Sequence, residues 1–266
     1  MIFKRRSPLE KELQKLNAEE EKYIASRREK QPGRLTQLLQ DKVPRGLQST
    51  LDKAFAPAFT IIFEKCTAEI DKTYIRQKTE QEYMINEYTA LVKNSRKPLK
   101  NVRKNAKKAA RANVALSSVS GTGLGLLGIG IPDIAVFTSL MLKSVYQTAA
   151  NYGFEYESYS ERRFVLTLIQ AAVSKGGQLE KLNSETDSFI STGHWPDDTD
   201  IQTLIQQTSA TLSAELLYIK FLQGIPVAGA AGGGYNLVYM QRVSKYAELK
   251  YRRRFLMRRA ALGMPL

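Results

Sequence analysis

Residues 96–133 read RKPLKNVRKNAKKAARANVALSSVSGTGLGLLGIGIPD, and the fold turns on how the glycine string within them is read. Gly123, Gly125 and Gly128 match the dinucleotide-binding pattern G-x-G-x-x-G letter for letter. That pattern works because a strand delivers the glycines to a helix N-terminus that holds a pyrophosphate. The residues upstream have helical period instead. Leu99, Val102, Ala106, Ala109, Ala110 and Val114 recur at threes and fours, opposite Arg96, Lys100, Arg103, Lys104, Lys107, Lys108 and Arg111. Pro132 follows the last glycine by four residues, and the acid expected about twenty residues on is missing. The string is therefore read as the tight turn of a helical hairpin, where glycine lets two backbones approach and Pro132 starts the second arm.

A second string, GIPVAGAAGGG at 224–234, repeats the tripeptide Gly-Ile-Pro of 130–132. Each string abuts a basic segment. Residues 93–111 hold nine bases and no acid, and 242–259 hold eight bases against Glu248. With Lys plus Arg at 40 and Asp plus Glu at 26, these two segments account for the net charge of +14, and the rest of the chain is close to neutral. The repetition points to two related units in one chain. The concentrated charge points to a localised anionic partner.

The remaining sequence is helical in period. Ser7-Pro8-Leu9-Glu10 offers an N-cap, a proline at the first helical position and an acid at the third, opening a charged helix that Gln31-Pro32-Gly33 ends. Leu47, Leu51, Phe55, Phe59, Ile62, Phe63 and Ile70 are the core face of the next region, continued by Ile75, Tyr83, Ile85 and Leu91. Helices are expected over 133–152 and 161–175, joined by the turn Tyr152-Gly153-Phe154, then over 200–222 after the cap Asp197-Asp198-Thr199-Asp200, and over 235–259. No stretch alternates with period two for long enough to argue a sheet. The fold class is all-α: a multi-helix bundle with two Gly-rich helical-hairpin units packed against each other. Residues 1–33 are read as a charged N-terminal helical extension and 34–262 as one helical domain.

A single cysteine, Cys66, excludes an internal disulfide and a thiolate cluster, and a single histidine, His194, excludes a His-ligated zinc centre. No metal or cofactor is expected. His194-Trp195-Pro196-Asp197-Asp198 is read as a turn running into an N-cap. Residues 114–142 carry only Asp133, and 221–240 carry no charge. Pro132 with Asp133, and the glycines with Asn236, break both before the roughly 20 apolar residues a spanning helix needs. A buried hairpin and an interfacial or re-entrant one stay open.

Asp133 sits where an ordinary first-turn acid is favoured by the helix dipole. An acid inside an apolar stretch also needs a partner, and Asn236 is its natural counterpart. The basic run of 96–111 lacks the interleaved aromatics of single-strand nucleic-acid binders, so anionic lipid is the better partner. Arg252, Arg253 and Arg254, beside Tyr246, Tyr251 and Phe255, are read as a second anion-contacting group.

Gly128-Ile-Gly130-Ile-Pro132-Asp133, then Tyr152-Gly153-Phe154, then Ile225-Pro226 with Gly229 and Asn236, resemble the EcsC protein family of bacteria over roughly residues 40–260. Gly130, Pro132, Asp133, Tyr152, Gly153, Pro226, Gly229 and Asn236 match its pattern. The family takes its name from a gene beside an ABC transporter, and the resemblance implies no catalytic role. The expectation is a non-enzymatic cytoplasmic protein, peripheral at the inner face of the cell membrane. It would meet anionic lipid or a membrane protein complex through basic helices and Gly-rich hairpins. The alternative is a hydrolase-like enzyme with a pocket around Asp133 and Asn236.

Overall fold

The computed structural model describes residues 7–28, 56–57, 59–65, 67–73, 76–93, 97–124, 130–223 and 232–264, with the backbone alone for 117–124, 130–135, 216–223 and 232–236. Every regular element among them is a helix. After α1 (Pro8–Ala25) and a helical stretch at 59–65 come α2 (Thr67–Lys72), α3 (Arg76–Lys93), α4 (Lys97–Leu124) and α5 (Gly130–Asn151). They are followed by α6 (Tyr159–Val173), α7 (Gly176–Thr192), α8 (Ile201–Gln223) and α9 (Gly232–Ala261). The chain is an all-α bundle, as the periodicity requires. α4 is helical through the first of the pattern glycines, so the strand that nucleotide binding needs is absent from the described residues.

Local signals explain the helix ends. Ser7 Oγ accepts from the Glu10 backbone N–H at 3.2 Å, and the Glu10 carboxylate accepts from the Ser7 N–H at 2.6 Å. This reciprocal box satisfies two donors that the first turn would otherwise leave orphaned. Asp200 caps α8 by accepting from Thr203 N at 2.9 Å. Before it, Asp197 Oδ1 accepts from Thr199 N at 2.8 Å and pairs with Arg163, whose guanidinium lies 4.6 Å from the Trp195 ring centre. The His194–Asp198 segment is thus a turn leading into a cap. No group of three or more His, Cys, Asp or Glu among the described residues could hold a metal ion.

α9 is the axis of the bundle. It packs against α1, α4, α5, α6, α7 and α8, while α3 lies on α4 and α5, and α6 on α7 and α8. The two arms either side of the first glycine string, α4 and α5, run along each other. Met141, Leu142, Val145 and Ala149 of α5, Phe164, Leu168 and Ile169 of α6, and Val243, Ala247, Tyr251 and Phe255 of α9 form the centre of the core. The helices that follow the two glycine strings meet through buried hydroxyls, with Ser144 Oγ 2.7 Å from Ser244 Oγ. Small side chains there keep α5 and α9 close.

Phe59, Phe63 and Ile70 are buried and Ile62 partly so, as expected. Leu47, Leu51, Phe55, Ile75 and Gln31-Pro32-Gly33 lie outside the described residues. α3 departs from the expectation. Ile85 and Leu91, expected in the core, are 64% and 47% exposed. The inward face of α3 is instead Tyr83, Glu87 and Ala90, because Glu87 pairs with Arg259 and Tyr83 accepts from Arg258 at 2.6 Å, both from α9. α7 was not singled out in the sequence. Its inward residues Leu179, Leu182, Thr186 and Phe189 nonetheless repeat at threes and fours, and Gly193 at φ +75° closes it.

Candidate anion-binding groove

The two basic segments are handled differently. In α9 most of the cations meet acids from other helices. Arg252 donates to Glu12 at 2.9 Å and Glu19 at 3.2 Å, and Arg253 pairs with Glu20. Arg254 forks onto Glu161, one arm at 2.7 Å, with its guanidinium 4.3 Å and 4.4 Å from the ring centres of Phe154 and Phe164. Lys250, with no exposed surface, donates to Asp187 at 2.6 Å. The triplet Arg252, Arg253 and Arg254, read as contacting an outside anion, therefore holds internal ion pairs. Only Arg252 reaches the groove described below.

The acids of α1 complete this network and fasten α1 to the bundle. Glu19 receives Arg103 at 2.9 Å, Lys245 at 3.2 Å and Arg252 at 3.2 Å. Burial pushes its carboxyl up, but Arg252, Arg103 and Lys245 outweigh burial and hold it at about 2. Arg103 also lies 3.5 Å from the buried Glu248, so this member of the α4 run is turned inward too. Tyr152 donates to the same Glu248 at 3.4 Å, and burial drives its phenol well above the usual range.

The rest of α4 is turned the other way. Leu99, Val102 and Ala106 are buried, while Lys100, Lys104, Lys108 and Arg111 are exposed and Lys107 half-buried. None of these five cations forms an ion pair with a described residue. The helix has no acid of its own, so pairing at three or four residues along it is impossible. Arg96 lies outside the described residues.

Between α1, α4 and α9 these cations wall a groove of about 770 Å³. Leu99, Tyr152, Phe255 and Leu256 supply its apolar lining, and Lys11 and Lys15 of α1 face α4 across it. Its one acid, Glu12, is already engaged by Arg252 at 2.9 Å and Lys15 at 3.3 Å. Burial pulls the Lys107 ammonium below the usual lysine range. Glu248 opposes that pull, and Arg103 and Lys245 add to it. Chemically the groove is deficient in negative charge.

Tyr152 and Gly153 anchor one end. Gly153 has φ +71°, and a Cβ there would stand 2.3 Å from the Tyr83 ring, so this turn admits only glycine. Arg258 donates to the carbonyls of Gly153 and Tyr152, both at 3.2 Å, which locks the end of α5 to α9. Gly130 opens α5 and Pro132 and Asp133 fall in its first turn, while Asn236 falls early in α9. The side chains of Asp133 and Asn236 lie outside the described residues, as do Pro226 and Gly229 altogether.

One surface feature escaped the sequence reading. Met84, Ile85, Tyr88, Leu91 and Val92 of α3 are 66%, 64%, 70%, 47% and 63% exposed. Their spacing of i, i+1, i+4, i+7 and i+8 makes one stripe on the side of α3 away from Tyr83 and Ala90. The periodicity was visible, but nothing local told the outer stripe from the inner one.

A bundle wound on a central helix, with an acid-free cationic helix on its flank, defines an all-α protein with a cationic surface. The chain belongs to the EcsC protein family, whose model matches residues 9–256. The match begins within α1. No curated protein and no solved structure matches the chain at a significant level.

Proposed function

We propose that this protein is a non-enzymatic, peripheral binder of anionic membrane surfaces, acting at the inner face of the cell membrane through the outer sides of α3 and α4. The observation that carries the reading is the set of cations on α4 that no described acid answers. Near an anionic leaflet each such base contributes about 1 kcal/mol. The exposed stripe of α3 supplies the second element of interfacial binding, apolar side chains that enter the headgroup boundary beside the charges. Both sets of side chains lie on helices that pack against each other and against α5. Among the described residues no helix is long and apolar enough to cross a membrane, and the reading asks for none. It draws on α3 and α4, not on the glycine-rich strings.

The test is sedimentation with phosphatidylglycerol and phosphatidylcholine vesicles. Wild type should pellet with the first and be released by salt, as the Debye length falls from about 10 Å at 0.1 M to about 3 Å at 1 M. Replacing Lys100, Lys104, Lys108 and Arg111 together by Gln should cost about 4 kcal/mol, on the order of a thousandfold in vesicle affinity. Arg103 is left intact because it holds Glu19 and Glu248. Equal binding to both vesicles regardless of salt, binding to neither, or a preference for duplex DNA over phosphatidylglycerol would each overturn the reading.

A further inference from the structure

We propose that the groove between α1, α4 and α9 is a binding site for one anionic amphiphile, a single acyl chain bearing a phosphate headgroup. This deepens the membrane reading and rests on it for the class of ligand. It adds that the protein holds one lipid-like molecule in a defined place, apart from lying on a surface.

Three properties of the groove select that ligand. The first is volume: at about 770 Å³ it falls in the range of roughly 300–1,000 Å³ typical of clefts that enclose small molecules. The second is the division of its walls. Leu99, Phe255 and Leu256 present an apolar floor, whereas Lys11, Lys100, Lys104, Lys107, Lys108 and Arg111 form a rim of cations without ion-pair partners among the described residues. A neutral lipid or sterol would use the floor and leave six cations unanswered. A sugar phosphate or a nucleotide would use the rim and leave the floor wet.

The third property is the state of Lys107. It stands half-buried in the wall, and its ammonium is destabilised first by burial and further by Arg103 and Lys245. A phosphate oxygen beside it would reverse that penalty by a charge-assisted hydrogen bond. The groove's own acid cannot do so, since Glu12 is committed to Arg252 and Lys15. The chain of the ligand would run over Leu99 and Leu256, where each buried methylene adds to affinity independently of salt.

The full-length protein should be titrated calorimetrically with lysophosphatidylglycerol below its critical micelle concentration, and in parallel with lysophosphatidylcholine and with glycerol phosphate. Saturable one-to-one binding of the first is expected, at least tenfold weaker binding of the second, and at least a hundredfold weaker binding of the third. Lys11→Gln, on the α1 wall and outside the proposed membrane face, should weaken lysophosphatidylglycerol severalfold while leaving vesicle pelleting unchanged. Lys107→Gln should weaken it about tenfold.

Glycerol phosphate binding as tightly as the lysolipid would show that the chain is not in the groove and would overturn the proposal. So would a Lys11→Gln variant that binds like wild type. Loss of lysolipid binding with intact pelleting on phosphatidylglycerol vesicles would remove this site and leave the membrane reading standing. Failure of both titration and pelleting would remove both.

Discussion

α4 carries seven bases between residues 97 and 111, and α9 carries eight between 242 and 259. In α9 six of them pair with Glu12, Glu19, Glu20, Glu87, Glu161 or Asp187, acids contributed by α1, α3, α6 and α7, while Arg258 donates to Tyr83 and to two backbone carbonyls. In α4 Arg103 is held this way, whereas Lys100, Lys104, Lys107, Lys108 and Arg111 have no ion-pair partner among the described residues. Composition alone does not separate a cationic hub from a cationic face. Topology does: a helix touched on all sides meets the acids of its neighbours, while a helix covered on one side keeps the other for an outside partner. The inner cations are part of what specifies the bundle. The outer ones contribute nothing visible to it.

The largest expected effect tests the inner half of that contrast. Glu161 and Arg254 are 9% and 14% exposed, and Glu161→Gln would leave the guanidinium charged among Phe154, Phe164 and Tyr251. Removing one partner of a buried pair costs about 3–5 kcal/mol. At about 2–4 °C per kcal/mol for a chain of this size, the melting temperature should drop by roughly 10 °C. Replacing both, Glu161→Leu with Arg254→Met, should recover most of the loss, since a well-packed apolar pair has no charge to desolvate. A Glu161→Gln protein that melts with wild type would mean the α9 cations are as dispensable as those of α4.

An intermediate effect tests the seam between the two regions, where Glu19 ties Arg103 of α4 to Lys245 and Arg252 of α9. Its folded pKa of about 2 lies below the ordinary 4.5. The contribution is therefore fully present above about pH 4.5 and is lost as pH falls toward 2. Glu12 is shifted in the same direction: burial opposes, while Lys15 and Arg252 lower it further. Thermal melts across that window should show stability falling with pH in wild type and falling less steeply in Glu19→Gln. Parallel curves would show that the seam does not hold α1.

Much of the architecture was legible because helices announce themselves locally. The Ser7 box, the Asp200 cap, the apolar face of α4 and the turn at Gly153 are all written in a few adjacent residues. What was not legible depends on partners far along the chain. Arg254 meets Glu161 from 93 residues away and Arg252 meets Glu12 from 240 away, so nothing near either arginine marks it as internal. The same limit explains α3, whose two apolar stripes look alike until Arg258 and Arg259 choose the side holding Tyr83 and Glu87. The absence of acids along α4 is plain in the sequence, but that Arg103 turns inward to Glu19 and Glu248 is not. That the wall of a groove runs along the α4 cations depends on where α1 docks, and the spacing within α4 carries no trace of it.

The smallest expected effect tests the outer half of the contrast, and its sign matters more than its size. Lys100 and Lys104, and Lys104 and Lys108, are like charges four residues apart on one helix, as are Lys107 and Arg111. Such pairs destabilise a helix by about 0.2–0.5 kcal/mol each. Glutamine is about as good a helix former as lysine or arginine, so the substitution itself is close to neutral. The variant with Lys100, Lys104, Lys108 and Arg111 replaced by Gln should therefore melt at or slightly above wild type, with a gain of at most about 1.5 kcal/mol. The gain should shrink as salt screens the repulsion already present in wild type. A face that costs its own helix stability, yet is kept free of acids, is answered by an anion from outside. If the variant instead melts several degrees below wild type at every salt concentration, these cations have internal partners like those of α9. The contrast between the two helices would then collapse, and the proposed membrane face with it.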